Sequence, residues 1–221
     1  MVAGRLFNVS GVTRAMSAEG LRLLFPLAAL HAGLWPFLWI IVWSFDLPFA
    51  ATSLPGHWHA QEMLIGSFGG ALLGFLTSAL PEWTDTPRLH GRPLLLLASL
   101  WATARTIGIL GADAVWLIGL LLDQAWILVM LVYALRLAIA RRTTDLLGFV
   151  LFLGTLAAAA AALRLAIAVE DHDMAEMAIR IAGLALLGLF GLALARITVP
   201  VTNLMLDPSE ETSPYRPHPG R

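Results

Sequence analysis

The sequence predicts an all-α, polytopic membrane protein: a bundle of six transmembrane helices with both termini in the cytoplasm. Three observations carry that prediction. The first is composition: of 221 residues, 58% are hydrophobic and 13% charged, with a mean hydropathy of +0.78. Soluble domains hold about 45–50% apolar and about 25% charged residues. The second is the presence of six apolar segments, at 21–45, 59–80, 93–111, 114–138, 145–169 and 175–199, near the roughly 20 residues that span a hydrocarbon core. The third is the placement of arginine. Arg5 and Arg14 precede the first segment, Arg88 and Arg92 separate the second and third, and Arg141 and Arg142 separate the fourth and fifth. The alternate loops, 46–58, 111–113 and 170–174, contain none. The positive-inside rule then sets the orientation.

Residues 1–20 lack the continuous apolar core of a signal peptide, so they read as a cytoplasmic segment, with the first span directing insertion. Residues 21–200 form the six-helix domain, and the polar, proline-rich end "DPSEETSPYRPHPGR" makes 201–221 an expected disordered cytoplasmic tail. All 14 basic residues are arginine, which excludes Schiff-base chemistry on lysine. The absence of cysteine excludes disulfides, iron–sulfur clusters and thiolate ligation of haem or copper. Any metal must be held by histidine, carboxylate or methionine. A net charge of −1 argues against nucleic acid as a partner.

The polar residues inside the spans are few. Span one carries His31 in "LAALHAGLW", about 15 Å from the inner face. It should point into the bundle, hydrogen-bonded to a neighbouring helix or as an axial haem ligand. Span two opens on "LPGHWHAQEML", residues 54–64, with His57, His59 and Glu62 gathered at the outer end. His59 and Glu62, three apart, share a helix face and are metal-capable; the plainer reading makes them boundary residues of an aromatic belt with Trp58. Further in, "GSFGGALLG" sets Gly66, Gly70 and Gly74 on one face, where a helix or a flat cofactor can approach closely.

Span three carries Arg105, about 9 Å from the outer end, and span four carries Asp123, about 14 Å in. Span five combines an Ala-rich run at 157–162, expected to pack closely, with Arg164 near its outer end. Span six follows "EDHDMAE", which contains His172, and carries Arg180 in its second turn. Two readings of the arginines stand side by side. Arg105 and Asp123 form an internal ion pair while Arg164 and Arg180 snorkel outward, or all three line a site for an anion such as a haem propionate. His59 is the leading axial ligand, and His57, His31 and His172 are further metal candidates. A haem sandwiched between His31 and His59 is disfavoured, because helix lengths place the two more than about 15 Å apart along the membrane normal.

The stretch "WHAQEMLIGSFGGALLGFLTSALPEWT" resembles the signature of the NnrS family, whose second helix opens with Trp-His-Ala-His-Glu-Met and ends near Pro-Asn-Trp-Thr. Arg105 in "WATART", Asp123 in "LLDQAW", and Arg196, Thr202 and Asn203 in "LARITVPVTNL" follow the family's order. Two positions depart from it: Gln61 replaces the second His of the motif, and Glu82 replaces the Asn before Trp83. The resemblance implies a bacterial inner-membrane protein of the nitric oxide response linked to denitrification, containing haem and copper. It also implies longer relatives, about twice this length and with twelve spans, so that a homodimer of this chain would restore their helix count. On this reading His59, Glu62, Arg105, Arg164 and Arg180 enclose an outer haem site, with nitric oxide as a ligand. The competing expectations are a transporter for a small anion or metal complex and a membrane assembly subunit. No nucleophile–base constellation marks an enzyme.

Overall fold

The computed structural model describes residues 9–45, 54–110 and 115–206, which contain helices and no strand. The helices are α1 (Val9–Met16), α2 (Gly20–Ser44), α3 (Pro55–Trp83), α4 (Arg92–Leu110), α5 (Trp116–Arg141), α6 (Leu147–Ala168) and α7 (His172–Leu206). Five of them, α2, α3, α5, α6 and α7, are long and apolar enough to cross a membrane. The 19-residue α4 is not among those five.

The boundaries differ from expectation in two places that matter. Helix α3 begins at Pro55 rather than at 59, since proline's fixed φ and missing N–H suit the first helical turn. Helix α7 runs 35 residues, from His172 to Leu206, and so absorbs the start of the expected tail; residues 207–221 of that tail lie outside the described residues. Helices α3, α5 and α6 each end on a non-glycine residue in the left-handed region or just before it: Asp85 (φ 48°), Arg142 (φ 48°) and Glu170 (φ 58°). The next amide in each case closes the helix by reaching back five residues, Thr86 to Pro81 O, Thr143 to Ala138 O and Asp171 to Ala166 O, all at 2.9–3.0 Å.

Sequential helices pack as neighbours, α2 on α3, α4 on α5, α5 on α6 and α6 on α7, while α3 also meets α4, α5 and α7. Helix α3 is therefore the centre of the bundle: 67% of its apolar window is buried, against 17% for α2. Both helices are apolar all round, so composition does not distinguish the inner one. Contact does.

Helices α2 and α3 run antiparallel in a register set by side chains. Trp39 Nε1 donates to Pro55 O at 3.0 Å, Trp35 and Trp58 meet edge to face at 4.6 Å, and the Leu21 amide donates to Ser78 Oγ at 3.1 Å. Trp58 is buried in this contact rather than standing in an interfacial belt. Because α3 starts beside Trp39, α2 continues past it by about 7 Å at 1.5 Å per residue. Within α3, Glu62–Phe68 is wound as a π-helix between α-helical Pro55–Gln61 and Gly69–Trp83. Such wide turns inside α-helices occur frequently at functional sites.

Candidate functional site

The π-helical turn carries Glu62, which is 0% exposed and enclosed by four helices. Around it lie Arg105 of α4 (3% exposed), Asp123 of α5 (1%) and Arg164 of α6 (4%). Arg105 Nη1 donates to Glu62 Oε2 at 2.8 Å, and Arg105 Nη2 donates to Asp123 Oδ1. Arg164 donates to Asp123 Oδ2 through Nε at 3.0 Å and Nη2 at 2.8 Å, and its Nη2 stands 3.8 Å from Glu62 Oε1. Two guanidiniums thus balance two carboxylates in one closed network. An ionised group near mid-bilayer costs about 2.5–3.5 kcal/mol on insertion scales, and mutual pairing is the usual remedy.

The fifth member is His31 of α2. Its Nε2 lies 3.4 Å from Glu62 Oε2, and its Nδ1 lies 2.8 Å from Ser67 Oγ. The ring stacks on Trp35 at 5.4 Å and meets the edge of Trp101 at 5.8 Å. His31 therefore sits level with Glu62, one helical turn from His59, and the expected separation of more than about 15 Å does not hold. That estimate assumed α2 and α3 end flush, whereas α2 overruns the start of α3.

Local sequence makes room for these side chains. A Cβ built on Gly66 would lie 2.7 Å from His31 Cε1 and 3.0 Å from Arg105 Cδ. One on Gly119, four residues before Asp123 and so on the same face of α5, would meet Arg164 Nη1 at 2.8 Å. Trp101, four residues before Arg105, donates from Nε1 to Gly66 O at 3.0 Å. The Gly66–Gly70–Gly74 stripe thus admits His31, Arg105, Trp101 and Leu24 rather than a flat cofactor.

The sequence singled out Glu62, His31, Arg105, Asp123 and Arg164, and the structure brings all five together. It does not bring in the others. Arg180 is 77% exposed on its side chain and pairs with Glu176 one turn away at 3.1 Å, so it lines no site. Arg164 turns inward instead of snorkelling. His57 is buried with its ring 5.7 Å from that of exposed His172, and the half-buried His59 lies 5.0 Å from the ring of Trp39. Among the described residues, no three His, Asp or Glu side chains are placed to hold a metal ion. Two partners escaped the sequence reading. Ser67 sits five residues after Glu62, an offset that reaches the same side only in a π-turn. Gln61, which stands where the motif has its second His, accepts from Arg164 Nη2 at 2.8 Å with its amide oxygen turned to the guanidinium.

The interior donor set does not fit a haem. Arg105 and Arg164 are already neutralised by Glu62 and Asp123, leaving neither of them free for a propionate. His31 Nδ1 is hydrogen-bonded with Ser67 Oγ, and its Nε2 stands 3.4 Å from Glu62 Oε2. The cavities bordered by Tyr133 and Arg136, about 400 Å³, and by Trp83 and Arg196, about 230 Å³, contain no histidine. At the edge, His59 Nδ1 is buried with no hydrogen-bond partner among the described residues.

Fold and site define a helical bundle of membrane-crossing dimensions, closed around a buried carboxylate–guanidinium–imidazole network. The chain matches the NnrS protein family over residues 15–221 and belongs to that family. No curated protein and no solved structure matches it.

Proposed function

We propose that this chain is a six-span protein of the bacterial inner membrane, with both termini cytoplasmic. It acts in the nitric oxide response, and its working part is the buried network rather than an interior haem. Family membership supports the role. The packing of α4 between α3 and α5, with Arg105 inside the network, supports a sixth span. The observation that carries the reading is Glu62. Held in a π-turn, it faces His31, Arg105 and Arg164, yet its Oε1 accepts no hydrogen bond among the described residues. Packing alone would not require a carboxylate there, and ionisable residues inside a membrane usually mark function.

Growth under a nitric oxide donor tests the role. A strain carrying Glu62→Gln is expected to lose protection while the protein stays in the membrane at the wild-type level; full protection by the variant would overturn the reading. The visible spectrum of purified protein tests the cofactor. No Soret band that depends on His31 or His59 is expected, and a band abolished by His59→Ala would restore haem at the outer edge. Because the chain has no cysteine, single cysteines at Thr143 and Asp171 report topology directly. An impermeant maleimide should label the first from the cytoplasm and the second from the periplasm.

A further inference from the structure

Helix α5 presents one stripe that the network does not use. Ala125, Leu128, Val129 and Val132 recur at the three- and four-residue intervals that align on a helix, and Tyr133 and Arg136 continue the line. This stripe forms one wall of a cavity of about 400 Å³, which Leu89 lines from the connection between α3 and α4. From Ala125 to Arg136 the stripe is about 16 Å long, close to one leaflet of a roughly 30 Å hydrocarbon core. No acidic residue lines the cavity.

Every lipid-facing helix touches acyl chains, so an apolar stripe alone is no site. Two polar groups at one end set this stripe apart. The Tyr133 hydroxyl is buried and has no hydrogen-bond partner among the described residues. A hydroxyl left so is costly, and an acceptor brought by a ligand removes the cost. Arg136, nearer by one turn to the Arg141 end of α5, is exposed and has no ion pair among the described residues. By contrast, Arg88 and Arg196 at the same end of the bundle pair with Glu19, Glu82 and Asp145. Arg136 stands about 7 Å short of Arg141 along the helix, within reach of a headgroup phosphate for a long side chain.

We propose that this cavity holds one anionic glycerophospholipid. Its phosphate lies against Arg136, an ester oxygen accepts from the Tyr133 hydroxyl, and one acyl chain runs along Val132, Val129, Leu128 and Ala125. The order matches the lipid: ester groups lie beneath the phosphate, and Tyr133 lies about 4 Å deeper than Arg136. A lone guanidinium with no carboxylate beside it in the cavity favours an anionic headgroup over one that carries its own cation. Basic pockets on the cytoplasmic side of membrane helices bind such headgroups. The apolar remainder selects a lipid over free phosphate. The cytoplasmic leaflet follows from the orientation proposed above, whereas the site itself does not depend on it.

The test is native mass spectrometry of the full chain, released from detergent that contains equal amounts of phosphatidylglycerol and phosphatidylcholine. The expected result is one tightly retained lipid, with phosphatidylglycerol preferred. Arg136→Gln should weaken phosphatidylglycerol binding about fivefold, the equivalent of the roughly 1 kcal/mol that a basic side chain contributes near an anionic surface. Phosphatidylcholine binding should change less. Arg142→Gln, one charge altered outside the cavity, should keep the preference. Tyr133→Phe should weaken both lipids alike, by about two- to tenfold for one hydrogen bond. Val129→Trp fills the apolar part and should abolish retention of either lipid, an independent reading should Arg136→Gln not fold. Equal retention of the two lipids by wild type would overturn the proposal, as would a preference lost equally in Arg142→Gln, which marks diffuse surface charge. Retention unchanged in Val129→Trp would overturn it too, and a lipid-free dimer would give the groove to a second copy. Protection from nitric oxide and labelling by maleimide are read in separate assays, so failure here leaves those readings standing.

Discussion

Asp123→Asn is expected to destabilise the protein by about 3–5 kcal/mol, the usual cost of removing one partner from a buried ion pair. Asp123 is the shared acceptor of Arg105 and Arg164, so the change removes one anion and leaves two guanidiniums with Glu62 alone. Neither arginine can neutralise itself. Asparagine keeps the volume, and its amide can accept from only one side, so the effect isolates charge from packing. Reversible unfolding in detergent provides the measurement. Arg180→Ala in the same assay should fall within about 0.5 kcal/mol of wild type, because its pair with Glu176 is an exposed i,i+4 contact. The contrast separates two arginines that the sequence alone placed in one layer.

Gly66→Ala should cost about 1–3 kcal/mol, the range for overpacking a filled interior. Its new methyl would meet the His31 ring at 2.7 Å and the Arg105 stem at 3.0 Å, and both neighbours are fixed by their own partners. The same helix turn presents Gly66 O to Trp101, so a shift of the backbone to relieve the methyl would also lengthen that hydrogen bond. Gly183→Ala is the matched control. A Cβ there meets nothing within 4 Å, and replacing a mid-helix glycine should stabilise by about 0.5–1 kcal/mol. Opposite signs from two identical substitutions would locate the crowding at the network rather than in glycine content.

The long helices were legible because an apolar run of this length matches the thickness of a bilayer and exceeds what a strand or a core helix needs. Their ends fell within a few residues of the expected bounds, except that α7 runs on to Leu206 instead of stopping at 199. The buried members of the site were legible for a related reason: a charge inside an apolar run is expensive, so Glu62, Arg105, Asp123 and Arg164 drew notice by being there at all. Direction was not legible. In a helix apolar on every face, hydrophobic periodicity does not tell a bundle-facing residue from a lipid-facing one. Arg164 and Arg180 therefore looked alike, although one points at Asp123 and the other outward. Depth was not legible either, since it depends on how α2 and α3 slide against one another. That register is held by Trp39 against Pro55 and Trp35 against Trp58, contacts between distant positions. The π-turn was the third hidden element. It brings Ser67 and Glu62 to the same ring of His31, and α-helical spacing places them on different faces.

The central claim is that Glu62, Arg105, Asp123, Arg164 and His31 act as one connected unit joining five helices of the bundle. A double-mutant cycle on unfolding free energy, using Glu62→Gln and Arg105→Gln singly and together, measures that connection most directly. The two side chains meet at 2.8 Å with almost no exposure. The structure predicts a coupling of about 1–3 kcal/mol, with the double variant less damaged than the sum of the singles. Additivity within about 0.5 kcal/mol would mean the two residues are independent, and would contradict the network.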